Sequence, residues 1–163
     1  MYIKQLEIDN FKSFANKVDI PMLQGFTTIS GPNGSGKSNI IDSILFALGL
    51  STSRTLRAEK LFHLISTYNK RNEAFVKVTF GETEDGDFSV ARRIRKSSQG
   101  FNSIYYLDDK IATLSDIHAK LEKYNITPNS YNVMMQGDVM SITNCTPGER
   151  RKIIDEIAGI ADF

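Results

Sequence analysis

The sequence predicts an α/β fold: a mixed sheet around a helix that follows a glycine-rich loop, then an antiparallel β-rich segment, then a further helix. Three observations carry this. The run FTTIS (Phe26–Ser30) leads into GPNGSGKS (Gly31–Ser38) and on into NIIDSILFAL, in the order strand, loop, helix. Residues 74–80 alternate apolar and polar, and hairpin signals follow them. Thr146-Pro147-Gly148-Glu149 places a capping threonine, an N1 proline and an N3 glutamate at the start of an apolar-periodic stretch.

Each element has its own local cause. Ile3–Asp9 mixes aliphatic and acidic residues and reads as a half-exposed strand. Val18–Pro21 reads as a short partner strand stopped by its proline. Phe26–Ser30 is aromatic and β-branched and reads as a buried strand. Ile40, Ile41, Ile44, Leu45 and Leu48 recur at helical spacing, with Gly49 as the stop. Ala74, Val76, Val78 and Phe80 share one strand face. FSVARRIR and NSIYYL flank KSSQGF as a hairpin with a loose turn, and DDK makes a second turn. Ser115 reads as the N-cap of a helix whose Ile117, Leu121 and Tyr124 share a face. From Thr146 on, Ile153, Ile154, Ile157 and Ile160 mark a last helix.

The chain has 163 residues, enough for one domain with a modest core. Its 40% hydrophobic and 24% charged content is that of a water-soluble globular protein. A net charge of +1 gives no overall basic field for nucleic acid. The single Cys145 excludes an internal disulfide framework, and His63 and His118 are too distant in sequence to suggest a zinc site. No run approaches the ~18 apolar residues of a membrane span, and the start MYIKQLEIDN lacks a signal peptide's apolar core. A cytoplasmic, reducing setting is expected.

GPNGSGKS satisfies G-x-x-x-x-G-K-[ST] between a strand and a helix. Gly31, Gly34 and Gly36 let backbone N–H groups close around a phosphate, where side chains would block the approach. The first turn of the following helix adds unpaired N–H groups and a positive dipole end. Lys37 supplies a charge for the β- and γ-phosphates, and the Ser38 hydroxyl suits Mg²⁺. Asn33 is either a turn former or a contact to the γ-phosphate. The expected binding set is Gly31, Pro32, Asn33, Gly34, Ser35, Gly36, Lys37, Ser38 and Asn39, with ATP and Mg²⁺. Hydrolysis also needs a carboxylate at the end of an apolar strand. IIDE (Ile153–Glu156) is the nearest candidate, but three cations precede it and its isoleucines have helical spacing. No LSGG-like stretch occurs.

Five stretches together resemble the N-terminal head segment of SMC (structural maintenance of chromosomes) proteins. They are IDNFKSF, GPNGSGKSNIIDSILFALG, SRTLRAEKLFHLI, SYNVMMQGD and PGERRKIIDEIAGIADF. The resemblance implies an ABC-type ATPase head built from the two ends of one long chain joined by a coiled coil. Residues 1–145 would be its N-terminal lobe and 146–163 the root of the coiled coil. The missing motifs would lie in the C-terminal half, so ATP hydrolysis is expected of the whole protein and not of this chain by itself. Gln136 matches the Q-loop glutamine, which touches Mg²⁺ and the attacking water; by itself it could equally be a surface residue beside a Gly-Asp turn. Arg57 matches the R-loop arginine, and Lys12 and Ser13 match residues near the phosphates and base. The implied partners are the C-terminal half, a second head as a homodimer, accessory subunits and DNA without sequence preference, on the nucleoid.

Arg92, Arg93, Arg95 and Lys96 form a basic run on a predicted strand. Such a run is either a solvated edge strand protected against aggregation or a contribution to a DNA-backbone surface. A related ABC-type double-strand-break repair head, a self-sufficient nucleotide kinase or GTPase-like switch, and a non-catalytic interaction module are the competing classes. The switch lacks a base-specificity motif such as NKxD.

Overall fold

A computed structural model of the chain describes residues 1–50, 61–98, 100–127 and 146–157. The chain divides into two compact units, Met1–Pro128 and Asn129–Phe163. The first contains β1 (Tyr2–Asp9), β2 (Val18–Pro21), α1 (Lys37–Leu48), a 3₁₀ turn (Leu61–Leu64), β3 (Glu73–Gly81), β4 (Phe88–Ser97), β5 (Gly100–Leu107), β6 (Lys110–Ala112) and α2 (Leu114–Glu122). The second contains α3 (Pro147–Ile157).

The strands form one six-stranded sheet in the order β2-β1-β3-β4-β5-β6. Every pairing is antiparallel, so the expected mixed sheet is corrected for the described residues. The reason lies in FTTIS. Residues 26–30 form no strand here, and Phe26 is 96% exposed. A strand exists only where its N–H and C=O groups are paired across a ladder. The two sheet edges are β2, blunted by Pro21, and the three-residue β6, and neither takes up the run.

Alternation sets the core. Ala74, Val76, Val78 and Phe80 all face inward, opposite Ile94, Arg92, Val90 and Phe88 of β4. Leu6 and Ile8 extend this layer through β1. Helix α1 lies on it, with the Phe46 ring 5.1 Å from Phe11. Phe88 stacks between Phe80 at 4.9 Å and Tyr124 at 5.5 Å, which ties α2's end to the sheet. Each such burial contributes about 1.5–3 kcal/mol.

The buried face of α1 differs from the one its isoleucines suggest. Asp42, Ser43, Leu45, Phe46, Ala47 and Leu48 are buried, whereas Ile41 is exposed. The helix is therefore apolar on two sides, and only one meets the sheet. Gly49 ends it in the left-handed region at φ 66°, as expected.

The turns follow from residue type. Asp108 and Asp109 both have positive φ and close β5 onto β6 with Leu107 opposite Lys110, the geometry of a two-residue hairpin. The β4–β5 hairpin closes at Ser97 opposite Gly100, tighter than the loose turn expected. The cap of α2 is Thr113, not Ser115: its hydroxyl accepts from the Asp116 N–H and the Asp116 carboxylate accepts from the Thr113 N–H. That reciprocal pair needs an acid three residues on, which Thr113 has and Ser115 does not. In α3, Ile153–Glu156 lie within the helix, as their spacing predicts.

Candidate nucleotide-binding site

The glycine loop enters α1 at Lys37 with Gly36 as the N-cap, at φ 96°. No side chain caps the helix and no acid lies in its first turn. The dipole's positive end and its N–H groups are thus left to an anion. Gly34, at φ 81°, also needs the left-handed region. At Gly31 a Cβ would stand 2.8 Å from the Ser35 hydroxyl, the rotatable end of a side chain. At Gly36 a Cβ would stand 2.9 Å from the Ser13 hydroxyl. Gly34 and Gly36 are therefore held to glycine by their backbone, and residues 31–35 are open to solvent.

The Lys37 ammonium donates to the carbonyl oxygens of Gly31 (2.7 Å) and Pro32 (2.8 Å). These bonds bring the lysine back over its own loop, beside the space that the loop encloses. Ser35 N–H donates to the Pro32 carbonyl at 3.3 Å and Asn39 N–H to the Gly36 carbonyl at 2.9 Å. Ser38 is exposed on the first helical turn. Asn33 is exposed in the loop. The left-handed turns at Gly34 and Gly36, the uncapped helix start and the exposed hydroxyl fit a phosphate chain with its divalent cation.

The bend Asn10–Phe14 docks against this loop from the side. Asn39 donates its amide to the Ser13 hydroxyl at 2.8 Å. The Lys12 ammonium meets the Asp42 carboxylate at 2.5 Å. Ser13 therefore lies beside the first turn of α1, and the Lys12 ammonium against its second turn. Gln136 and Arg57 lie outside the described residues.

Two buried polar positions beside the site escape the sequence reading. Asp42 is 1% exposed, a carboxylate inside an apolar helix one turn beyond Ser38. Its signal is the lone acid in NIIDSILFAL. Asn10 is fully buried at φ 54° and donates to the Glu73 carbonyl at 2.6 Å, fixing the end of β1 where the bend begins.

The basic run divides by strand parity. β4 is a central strand, which corrects the edge assignment. Arg92 points inward at 7% exposure, between the rings of Phe46 and Tyr105 at 4.6 Å each, so it presents no surface to DNA. Its guanidinium donates to the Ser103 hydroxyl (2.9 Å) and the Phe46 carbonyl (3.3 Å). Burial lowers its pKa, opposed by Tyr105, and burial raises that of Tyr105, opposed by Arg92. Arg93 lies on the other face over Phe75 and Tyr106. Arg95 pairs with Glu73 at 3.5 Å. Lys96 is exposed at the strand end. The exposed face carries further pairs, Lys77–Asp109 and Arg71–Asp9, so its local field is largely balanced.

The family described as RecF/RecN/SMC N terminal domain matches residues 2–141. The chain is 50% identical over 166 residues to a "Chromosome partition protein Smc" of Gloeobacter violaceus; that alignment covers 100% of this chain and 14% of the relative. The chain thus spans about one-seventh of that curated relative's length. A structure described under ATP-driven dimerization and DNA stimulated activation of SMC ATPases superposes with TM-score 0.83 at 38% identity, covering 96% of this chain and 99% of that one. An Smc head bound to the C-winged helix domain of ScpA superposes with TM-score 0.88 at 39% identity, covering 99% of this chain and 52% of that one. The family match over residues 2–141 and the superposition on these heads, with a glycine loop feeding an uncapped helix, lead to one assignment: the chain belongs to the RecF/RecN/SMC N-terminal domain family, as the N-terminal lobe of an SMC head.

Proposed function

We propose that this chain is the ATP-binding half of a chromosome-organising ATPase head, which engages a second head when ATP is bound. The carrying observation is the Gly31–Ser38 loop, turned through the left-handed region at Gly34 and Gly36 and opening on the uncapped start of α1. Main-chain N–H groups and the α1 dipole hold the phosphates, and Lys37 adds a point charge at the β- and γ-positions. Ser38 is the Mg²⁺ ligand from this chain; the ion supplies neutralisation of phosphate charge when bound. Gln136 and Arg57 are assigned to Mg²⁺ and water, and to the phosphates, respectively.

The catalytic carboxylate comes from a C-terminal half. Two exposed apolar features support that partner: the Phe26–Ser30 run, and the Ile41 side of α1. A helix apolar on both sides belongs between two layers. The C-terminal half supplies the second layer and pairs with Phe26–Ser30, which then becomes the strand its sequence encodes. Head engagement by ATP and attachment of a ScpA-like winged-helix subunit follow the related structures, with DNA as the sequence-independent substrate. Exposed Arg93, Arg95 and Lys96 are the residues of this chain assigned to a DNA-facing contribution.

Co-expression with the C-terminal half tests this. ATP turnover and ATP-dependent dimerisation appear in the assembled head and vanish with Lys37→Ile. Turnover by this chain alone overturns the assignment.

A further inference from the structure

The glycine loop holds the one asparagine of this chain that precedes a glycine, Asn33 before Gly34. The Ser35 N–H donates to the Pro32 carbonyl at 3.3 Å, which closes a turn with Asn33 and Gly34 at its centre. Gly34 takes φ 81°, and a Cβ built on it meets nothing within 4 Å. Both residues are exposed. Neither the Asn33 amide nor the Gly34 N–H has a hydrogen-bond partner among the described residues. The next asparagine, Asn39, differs on each count: its amide is held by the Ser13 hydroxyl at 2.8 Å, and isoleucine follows it.

A free asparagine amide beside a free glycine nitrogen is a reactive pair, because glycine carries no side chain to shield its nitrogen. The Gly34 nitrogen attacks Cγ of Asn33. A C–N bond forms, the bond from Cγ to the amide nitrogen breaks, and ammonia leaves with the proton that Gly34 gives up. Water then opens the cyclic imide at one carbonyl or the other, giving aspartate or isoaspartate. No oxidant or reductant enters. Ring closure passes through an anionic nitrogen and an oxyanion, and this loop is arranged for anions. The Lys37 ammonium donates to the carbonyls of Gly31 and Pro32, and the uncapped start of α1 has no acid in its first turn. Both stabilise negative charge that develops nearby. The turn opposes the reaction, since ring closure rotates Asn33 out of it. Its one closing bond is long and slows the reaction only about fivefold. A phosphate chain gripped by the N–H groups of the loop resists that rotation far more strongly.

We propose that Asn33–Gly34 is a site of self-modification in the empty loop, and that bound nucleotide protects it. Either product puts a carboxylate into the turn that faces the phosphates. Isoaspartate also adds a methylene to the main chain just before Gly34. A head left empty loses its nucleotide site with time, and an occupied one keeps it. The protection rests on the nucleotide-binding assignment above; the modification itself does not.

The test incubates the head assembled from this chain and its C-terminal half at mildly alkaline pH, with and without Mg²⁺ and a non-hydrolysable ATP analogue. Trypsin releases Val18–Lys37, in which Asn33 is the sole asparagine. Mass spectrometry with fragmentation reads the conversion of amide to acid at that residue, and a synthetic peptide of the same sequence gives the unrestrained rate. In the empty head Asn33 converts within about fivefold of the peptide rate. The bound analogue slows conversion at least about tenfold. Affinity for a fluorescent ATP analogue falls about tenfold or more in the converted head, and likewise in Asn33→Asp, which supplies the charge without the methylene. An intact Asn33 in the empty head after the peptide has converted, equal rates with and without bound analogue, or full affinity in the converted head overturns the proposal. A head that converts Asn33 but binds no analogue ends the nucleotide assignment and the protection with it. A head that binds the analogue and keeps Asn33 intact when empty ends this proposal alone.

Discussion

The guanidinium of Arg92 lies 4.6 Å from the centre of the Phe46 ring and donates to the carbonyl oxygen of the same residue at 3.3 Å. One residue of β4 therefore holds the last turn of α1 by its side chain and its backbone together. The Tyr105 ring covers the opposite face of the guanidinium. A cation enclosed by two rings and two oxygen acceptors contributes packing and satisfies a helix-end carbonyl. Arg92→Ala removes both and destabilises the fold by on the order of 2–3 kcal/mol. Arg92→Met keeps the apolar volume and costs less. Chemical denaturation measures both, and DNA affinity in the assembled head is unchanged by Arg92→Met.

Gly49 is closed to other residues on two counts. Its φ is 66°, and a Cβ there would meet the Leu114 side chain and the Tyr105 hydroxyl. Gly49→Ala therefore destabilises by more than about 1 kcal/mol. The conservative comparison is Gly86→Ala, also at positive φ but with open space around the Cβ. Gly86→Ala shows the smaller loss in thermal melts, the difference being the steric share.

The cap of α2 carries an acid dependence. Hydrogen bonds from the Thr113 hydroxyl, then from its backbone N–H, hold the Asp116 pKa below the ordinary carboxylate value. A lowered folded pKa contributes stability above the unfolded pKa and loses it as pH falls through the folded one. Asp85, lowered chiefly by Lys120, and Asp87, lowered chiefly by Lys4, act with the same sign. Acidification below about pH 4 therefore frays α2 and loosens its attachment. Hydrogen exchange at the α2 amides reports this, and Thr113→Val reduces its pH dependence.

Phe26 and Ile29 are exposed, so replacing them does not affect the core. Phe26→Ser with Ile29→Ser leaves the stability of this chain unchanged within about 0.5 kcal/mol, as read by chemical denaturation. Assembly with the C-terminal half is lost, as read by co-purification. Retained assembly places the partner's contact elsewhere.

Much of this architecture is legible in the residues because local and global preferences agree there. The alternation of Ala74–Phe80 gives β3 its face, and Asp108-Asp109 gives the β5–β6 turn its sign of φ. The phosphate loop is legible because glycine, lysine and serine are each forced by chemistry at a fixed spacing. Two readings miss for physical reasons, and one position goes unread. FTTIS has strand propensity, but the described sheet offers it no ladder. Arg92 resembles its basic neighbours, but parity turns it into the core, where aromatic rings replace water. Asp42 looks like a polar interruption in NIIDSILFAL, because its partner lies 30 residues away and only the fold brings Lys12 to it.

The base of α1 is fastened by Arg92 to Phe46 and by the His118 imidazole to the Gly49 carbonyl at 3.2 Å. Its opposite end is met from the side by one short bend. The helix is thus held at both ends, at its root by β4 and α2 and at its loop end by the bend. The start of α1, and with it the glycine loop, therefore takes its place from the sheet at one end and from the β1–β2 connection at the other.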